Sequence, residues 1–242
     1  MKHIILIIVF AFSSAIVFSQ ENALEETIKK QINYNDEDFF SFSLKSIPEI
    51  PNTAVAMAVK YHEKNDEEQY FTADLYLYVI NIKKESIIST YVEKEKFTSD
   101  AVILEEVTFN SVPYMTNASV GTFGVKSNSG THSRIALYGN RIMSLYHISD
   151  GKIKVVSDDI ELYTIRGEGG SSCNLDYEET NSVIKVDTKK TNGFFNLKVI
   201  STKNFFESKE PEDESDDCIE ENTTLAPVTQ VLTFKNGKYS LE

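Results

Sequence analysis

The sequence predicts an all-β fold: an antiparallel meander, propeller-like or sandwich, preceded by one short helix. Three observations carry that prediction. From Phe39 onward apolar side chains alternate with a period of two, Asx-Gly pairs punctuate the alternation at short intervals, and only one stretch has helical periodicity.

The first nineteen residues read as an address rather than as fold. Lys2 and His3 form a short basic start, Ile4 to Phe18 run without a charge, and Val17-Phe18-Ser19 ends the run with the residues a signal peptidase reads. The apolar run is about fifteen residues, short of the roughly twenty that span a bilayer. Residues 1–19 are therefore expected to be a signal peptide cut between Ser19 and Gln20, leaving a periplasmic or secreted chain with no membrane span. Gln20 at the new terminus, in place of Cys, excludes a lipid anchor there.

Residues 20–36 are expected to form an amphipathic helix, because Leu24, Ile28 and Ile32 recur every four residues while Glu25, Glu26, Lys29 and Lys30 occupy the other faces. A stripe this narrow packs one helix against a larger body. Residues 37–242 then form a single β-rich domain. Val55, Met57, Val59 and Tyr61 alternate with Ala54, Ala56, Ala58 and Lys60, and Leu75, Leu77 and Val79 alternate with Tyr76, Tyr78 and Ile80. Turns are expected at Lys83-Lys84-Glu85-Ser86, Asp150-Gly151, Asn192-Gly193 and Asn236-Gly237. The Asx-Gly pairs tolerate the two positive φ angles of a type I′ hairpin. Asp158-Asp159 is read as a break between two β runs, since Asp favours turns. Between residues 207 and 221 lie nine acidic side chains with Lys209, Pro211 and Cys218. Such a run cannot bury a face and is expected to be an exposed acidic loop.

Charge narrows the partners. The net charge is −13, and loss of Lys2 with the leader makes it more negative still. Nucleic-acid binding works by Lys and Arg displacing counterions, so nucleic acid and anionic membrane surfaces are poor partners for this chain, and cationic proteins or metal ions are better ones, a cationic protein being the expected kind of partner. The two cysteines, Cys173 and Cys218, are expected to form a disulfide, as an even count in an exported chain implies. A pair of free thiols or a metal pair is the alternative, but neither cysteine has a further ligand at metal spacing.

The C-terminal half shows a recurring order of features. Leu145-Tyr146-His147-Ile148-Ser149-Asp150-Gly151-Lys152-Ile153 leads to Ile160–Arg166, Gly167-Glu168 and Cys173. Asn196-Leu197-Lys198-Val199, Cys218 and the closing Leu232-Thr233-Phe234 and Asn236-Gly237-Lys238-Tyr239 follow. This order resembles a loosely defined group of uncharacterised exported β-rich proteins of Gram-negative bacteria. The resemblance implies an exported, mostly β fold with one disulfide, and it implies no activity. Asn196 stands where the group has Asp, which argues against a metal role there.

No catalytic motif is present. His62, His132 and His147 are isolated in sequence. His62 reads as a solvated strand end and His147 as a strand residue with a satisfied ring. Gly169-Gly170-Ser171-Ser172-Cys173 lacks the spacing of a nucleophile turn and, with Gly167, reads as a flexible loop that positions Cys173. Asp213, Glu214, Asp216 and Asp217 offer oxygens without the spacing of a calcium loop. No catalytic residue, cofactor or metal site is therefore expected. The expected function is that of an exported non-enzymatic binding or interaction protein of the bacterial envelope. The alternative is an envelope hydrolase using dispersed carboxylates, which would place two facing carboxyls in a cleft.

Overall fold

Three alanines on one strand decide how the helix docks. In the computed structural model, which describes residues 22–65, 67, 70–110, 114, 116–117, 120–133, 135–170, 173–210 and 218–242, helix α1 covers residues 22–31. The strands that follow are β1 (Phe39–Ser46), β2 (Thr53–Asn65), β3 (Tyr70–Asn81), β4 (Ser86–Ser99), β5 (Ile103–Phe109), β6 (Gly121–Gly130) and β7 (Ala136–Ser149). Then come β8 (Lys152–Gly169), β9 (Leu175–Thr191), β10 (Phe194–Lys209), β11 (Ile219–Thr224), β12 (Val228–Lys235) and β13 (Lys238–Leu241). Every pairing between them is antiparallel.

Strands β1 to β4 form a four-stranded sheet in sequence order. On β2, Val55, Met57 and Val59 point to one face and Ala54, Ala56 and Ala58 to the other, and all six are buried. The alanine face is low enough for α1 to lie directly on it, with Leu24 and Ile28 packed over Ala54, Ala56, Ala58, Tyr78 and Ile80. The helix ends sooner than its periodicity predicts. Asn33 adopts φ 53°, its N–H donates to Lys30 O, and the Tyr34 N–H donates to Lys29 O at 2.9 Å. This pair of bonds around a left-handed residue closes the helix. The expected leader, its expected cut between Ser19 and Gln20, and the first residues of the expected helix lie outside the described residues.

The second sheet runs β13-β12-β10-β9-β8-β7-β6-β5, with β11 alongside the distal half of β10. Its β5–β8 portion packs on the valine face of the small sheet. Val55, Met57, Leu75, Leu77, Phe123, Tyr146 and Ile148 share that core. The architecture is thus a sandwich. Strands of up to 18 residues in one continuous ladder are far longer than those of a propeller blade. The Asx-Gly turns form as expected, with φ of 52° and 69° at Asp150-Gly151, 52° and 84° at Asn192-Gly193, and 53° and 82° at Asn236-Gly237. Beyond β7 the large sheet curls back on itself, and a second core fills the curl with Met143, Leu145, Val156, Ile160, Leu197 and Leu232.

Three local expectations are corrected. Asp158-Asp159 is no break between strands but a bulge inside β8. Gly167 and Gly169 are strand residues paired with Tyr177 and Leu175, not part of a flexible loop. A Cβ on Gly167 would lie 2.2 Å from Asp176 O and 2.4 Å from Tyr177 Cβ, so glycine is there for close approach. The acidic run is narrower as a loop than 207–221. Glu207, Ser208 and Lys209 pair in register with Glu221, Glu220 and Ile219, and residues 211–217, which hold Asp213, Glu214, Asp216 and Asp217, lie outside the described residues.

Candidate functional site

A run of irregularities in β8 opens a cleft at one end of the large sheet. Its register against β7 goes from Tyr146↔Val155 and Leu145↔Ser157 to Met143↔Ile160, Ile142↔Glu161 and Arg141↔Tyr163, with shifts at three places. Each extra residue bends the strand and re-aims side chains. Asp159 takes φ 53° within the bulge, a left-handed conformation that Asp tolerates better than most residues. As a result β8 meets β9 only from Tyr163↔Asn181 outward. From Ser182 onward β9 pairs with β10 alone. The β9-β10-β12-β13 ribbon curls round until β13 lies against β8. The open end of this curl is a cleft of about 500 Å³.

Five strands line it. Thr180 and Ser182 come from β9, Val199 and Ser201 from β10, and Val228, Gln230 and Leu232 from β12. Ser201↔Val228 and Val199↔Gln230 are register pairs, so these side chains share the inner face of the curl. Ser182 Oγ and Ser201 Oγ are 2.8 Å apart. Ser157 to Glu161 form one wall and Tyr239 to Leu241 the other. Ile160, Val199, Leu232 and Tyr239 continue downward into the second core. The Tyr239 hydroxyl donates to Phe195 O at 2.8 Å, and burial pushes its pKa up to about 12. At the lips, Val228 and Leu241 are 62% and 59% exposed.

The β8 wall carries all three acidic residues of the lining, and lysines hold two of them. Lys96 Nζ, reaching from β4, lies 3.4 Å from Asp158 Oδ1, 3.8 Å from Asp159 Oδ1 and 3.1 Å from Glu93 Oε2. Lys238 Nζ is 3.6 Å from Asp158 Oδ2. Burial alone would lower the Lys96 pKa, but the surrounding carboxylates outweigh it and hold the ammonium above its usual value. Glu93 also accepts a 2.7 Å hydrogen bond from the Tyr146 hydroxyl, whose pKa is pushed up by burial and by that carboxylate. The carboxyls of the cleft are therefore neighbours on one strand rather than a pair facing each other across it.

Elsewhere, His147 and His62 serve the fold. His147 is buried against Phe194 and Phe234, with ring centroids 5.1 and 5.6 Å away, and those two rings also touch each other at 4.0 Å. Its Nε2 lies 3.1 Å from Thr116 Oγ1, which is in turn 2.8 Å from Thr122 Oγ1. Burial lowers its pKa to about 4, so the ring is neutral and satisfied, as a strand residue of this kind is expected to be. His62 sits at the β2 bulge opposite Ala73 and Thr72 and is less solitary than expected. Its Nδ1 is 3.5 Å from Asp74 Oδ1 and its Nε2 3.6 Å from Glu95 Oε1. Asp74 also accepts from Lys94 Nζ and, at 2.8 Å, from the Glu95 N–H. Burial works against its ionisation, but these donors prevail and hold its pKa below the usual carboxylate range. The cluster fastens the bulges of β2 and β4 together. His132 is exposed in the β6–β7 connection.

Cys173 and Cys218 are bonded, with Cα atoms 5.3 Å apart. The bond staples the β8–β9 turn to the start of β11 at the far end of the ribbon. Among the described residues no three His, Cys, Asp or Glu side chains converge as a metal site, and no helix is long and apolar enough to cross a membrane. Comparison with known proteins finds no matching family model, no similar curated protein and no similar solved structure. The geometry must carry the reading by itself. Sequence reasoning missed the cleft, whose hydroxyl lining of Thr180, Ser182 and Ser201 comes from two strands, β9 and β10, that no motif connects.

Proposed function

We propose that the chain is an exported, non-enzymatic binding protein of the bacterial envelope or its surroundings, with the cleft between β8 and β13 as its ligand site. The observation that carries this reading is the composition of the cleft. Hydroxyl, amide and apolar groups from five strands converge on one concavity, the combination typical of small-ligand sites. The acidic groups stand on a single wall, and two of the three are held by lysines. A carboxylate hydrolase instead needs two carboxyls flanking the scissile bond. The disulfide supports export, because such bonds persist in oxidising compartments. The leader-like first nineteen residues and the resemblance of the C-terminal half to exported β-rich proteins point the same way.

Two measurements on the purified protein test the reading. A ligand-observed NMR screen of a fragment library should give hits that are lost in Ser201→Leu, which fills the cleft from its inner face. Assays with p-nitrophenyl glycosides, p-nitrophenyl acetate and casein should show no turnover. Hits that persist in Ser201→Leu would move the ligand site elsewhere. Turnover abolished by Asp158→Asn or Glu161→Gln would replace the binder with the hydrolase.

A further inference from the structure

Two of the free strand edges of the large sheet carry opposite charge. Beyond Tyr163↔Asn181 strand β8 leaves β9, so from residue 182 to residue 191 β9 pairs with β10 on one side and with no strand on the other. Strand β11 likewise pairs with β10 alone, and all six of its residues are exposed. Each edge presents a row of backbone N–H and C=O groups outside any ladder. Lys185 and Lys189 stand along the β9 edge, exposed and without an ion pair among the described residues. The nearest acid in sequence, Asp187, is taken by Lys198 at 2.9 Å. On β11, Glu220 and Glu221 are exposed and also without an ion pair among the described residues, because Lys209 of β10 is held by Glu207 at 2.7 Å. Both edges show apolar surface as well, with Val183 53% and Ile219 49% exposed.

We propose that the protein assembles head to tail with copies of itself, β11 of one copy adding as a strand beside the free half of β9 of the next. The inference is independent of the cleft and of what the cleft binds. In strand addition the main-chain hydrogen bonds supply the affinity, and the six residues of β11 fit within the free stretch 182–191, whose first part, residues 182–186, keeps a regular register against β10. Charge then selects the pairing. Lysine on an edge strand ordinarily keeps other edges away, but it does so by repelling its own kind and by refusing an apolar neighbour. An edge that carries glutamates meets those lysines as cross-strand partners. Pairing β9 with β9, or β11 with β11, would set like charges opposite each other, which is destabilising. Strands β9 and β11 lie on opposite sides of β10, so each copy offers one edge and accepts the other. Such an interface is heterologous and extends into an open chain when the rotation between copies does not close a ring.

Sedimentation velocity over a concentration series tests the proposal. The purified protein should give a concentration-dependent succession of species that continues past the dimer. Lys185→Glu with Lys189→Glu, and separately Glu220→Lys with Glu221→Lys, should each weaken association by about tenfold or more. An equimolar mixture of the two variants should assemble again, because each supplies the charge that the other reverses. All four side chains are exposed, so urea denaturation of each variant should match that of the parent. Hydrogen exchange on the unmodified protein needs no variant: amides of residues 182–186 and of Ile219–Thr224 should exchange more slowly as the concentration rises. A protein that stays monomeric up to its solubility limit overturns the proposal. So does a dimer that grows no further, association that survives either charge reversal, failure of the mixed variants to assemble, or exchange at these two edges that does not depend on concentration.

Discussion

Lys96 Nζ lies 3.4 Å from Asp158 Oδ1, and this contact joins the small sheet to the bulged strand that walls the cleft. Lys96 belongs to β4, and its side chain is only 18% exposed. Asp158 belongs to β8, beside the left-handed Asp159. The ammonium draws both aspartates of the bulge toward the sandwich, and Lys238 of β13 holds Asp158 from the other side. One ion network therefore fixes the position of the wall relative to both sheets.

Lys96→Met should therefore destabilise the protein by more than a surface substitution does. It leaves Glu93, Asp158 and Asp159 mutually repelling beside partly buried surface. Loss of one partner from a fully buried pair costs about 3–5 kcal/mol. The partial exposure of Asp158 and Asp159 brings the expectation down to about 1–3 kcal/mol. Urea denaturation measures it. Adding Asp158→Asn to the same chain should restore part of the loss, and strict additivity of the two changes would show that the pair is not coupled.

Gly167→Ala tests the close approach of β8 and β9. The added methyl would sit inside contact distance of Asp176 O and Tyr177 Cβ, both parts of a paired strand. Tyr177 is itself stacked on Phe206 with centroids 4.9 Å apart, so it cannot move alone. The expected cost is about 1–3 kcal/mol, with hydrogen-exchange protection lost first along Leu175–Asn181. Unchanged stability would mean that the ladder accommodates a Cβ and that glycine has another role there.

The strands and turns were legible in the sequence because their causes are local. The alternation along β2 and β3 reports two differently filled faces, and an Asn or Asp before Gly meets the torsional demand of a type I′ turn wherever it falls. The helix end at Asn33 was less legible, because Ile32 continues the apolar stripe while the backbone is already closing. The cleft was not legible, since its cause is not local. Asp158-Asp159 has the look of a turn, and only the arrival of Lys96, 62 residues earlier in the chain, makes it a bulge within one strand. His147 was placed correctly as a satisfied strand residue. Its partners Thr116, Phe194 and Phe234 come from three separate segments that no spacing connects. The disulfide was legible from compartment and cysteine count, which need no geometry.

Loss of the disulfide should be felt mainly at the far end of the ribbon. On the chain-entropy model, a bond spanning 45 residues contributes about 4 kcal/mol. The stapled segments are also bridged by β10, whose Ser208 pairs with both Leu175 and Glu220, which limits how far they separate without it. Cys173→Ala with Cys218→Ala should therefore cost no more than about 4 kcal/mol and leave the cleft intact. Hydrogen exchange should quicken at Ile219–Thr224 and Leu175–Tyr177 before it does at Leu197 or Leu232. Uniform loss of protection would show that the staple stabilises the whole sheet rather than its tip.

Acid should destabilise the protein through His147 in a defined window. Its folded pKa is about 4 against an ordinary value of 6.5, so between those values the unfolded chain binds a proton that the folded chain refuses. Stability from this group is complete above about pH 6.5, falls as the pH drops, and changes no further below about pH 4. From pH 7 to about 4.5 the loss is about 2–3 kcal/mol. Asp74 works in a lower range: its folded pKa lies below 3.8, so its stabilisation is present above the ordinary carboxylate value and is lost as the pH falls through the folded one. His147→Gln keeps a polar group near Thr116 without a titrating ring. Urea denaturation of both proteins at the two pH values should show the variant losing less stability on acidification, by about 2–3 kcal/mol. Equal losses would mean that the acid sensitivity resides elsewhere and that the buried imidazole accepts its proton at little cost.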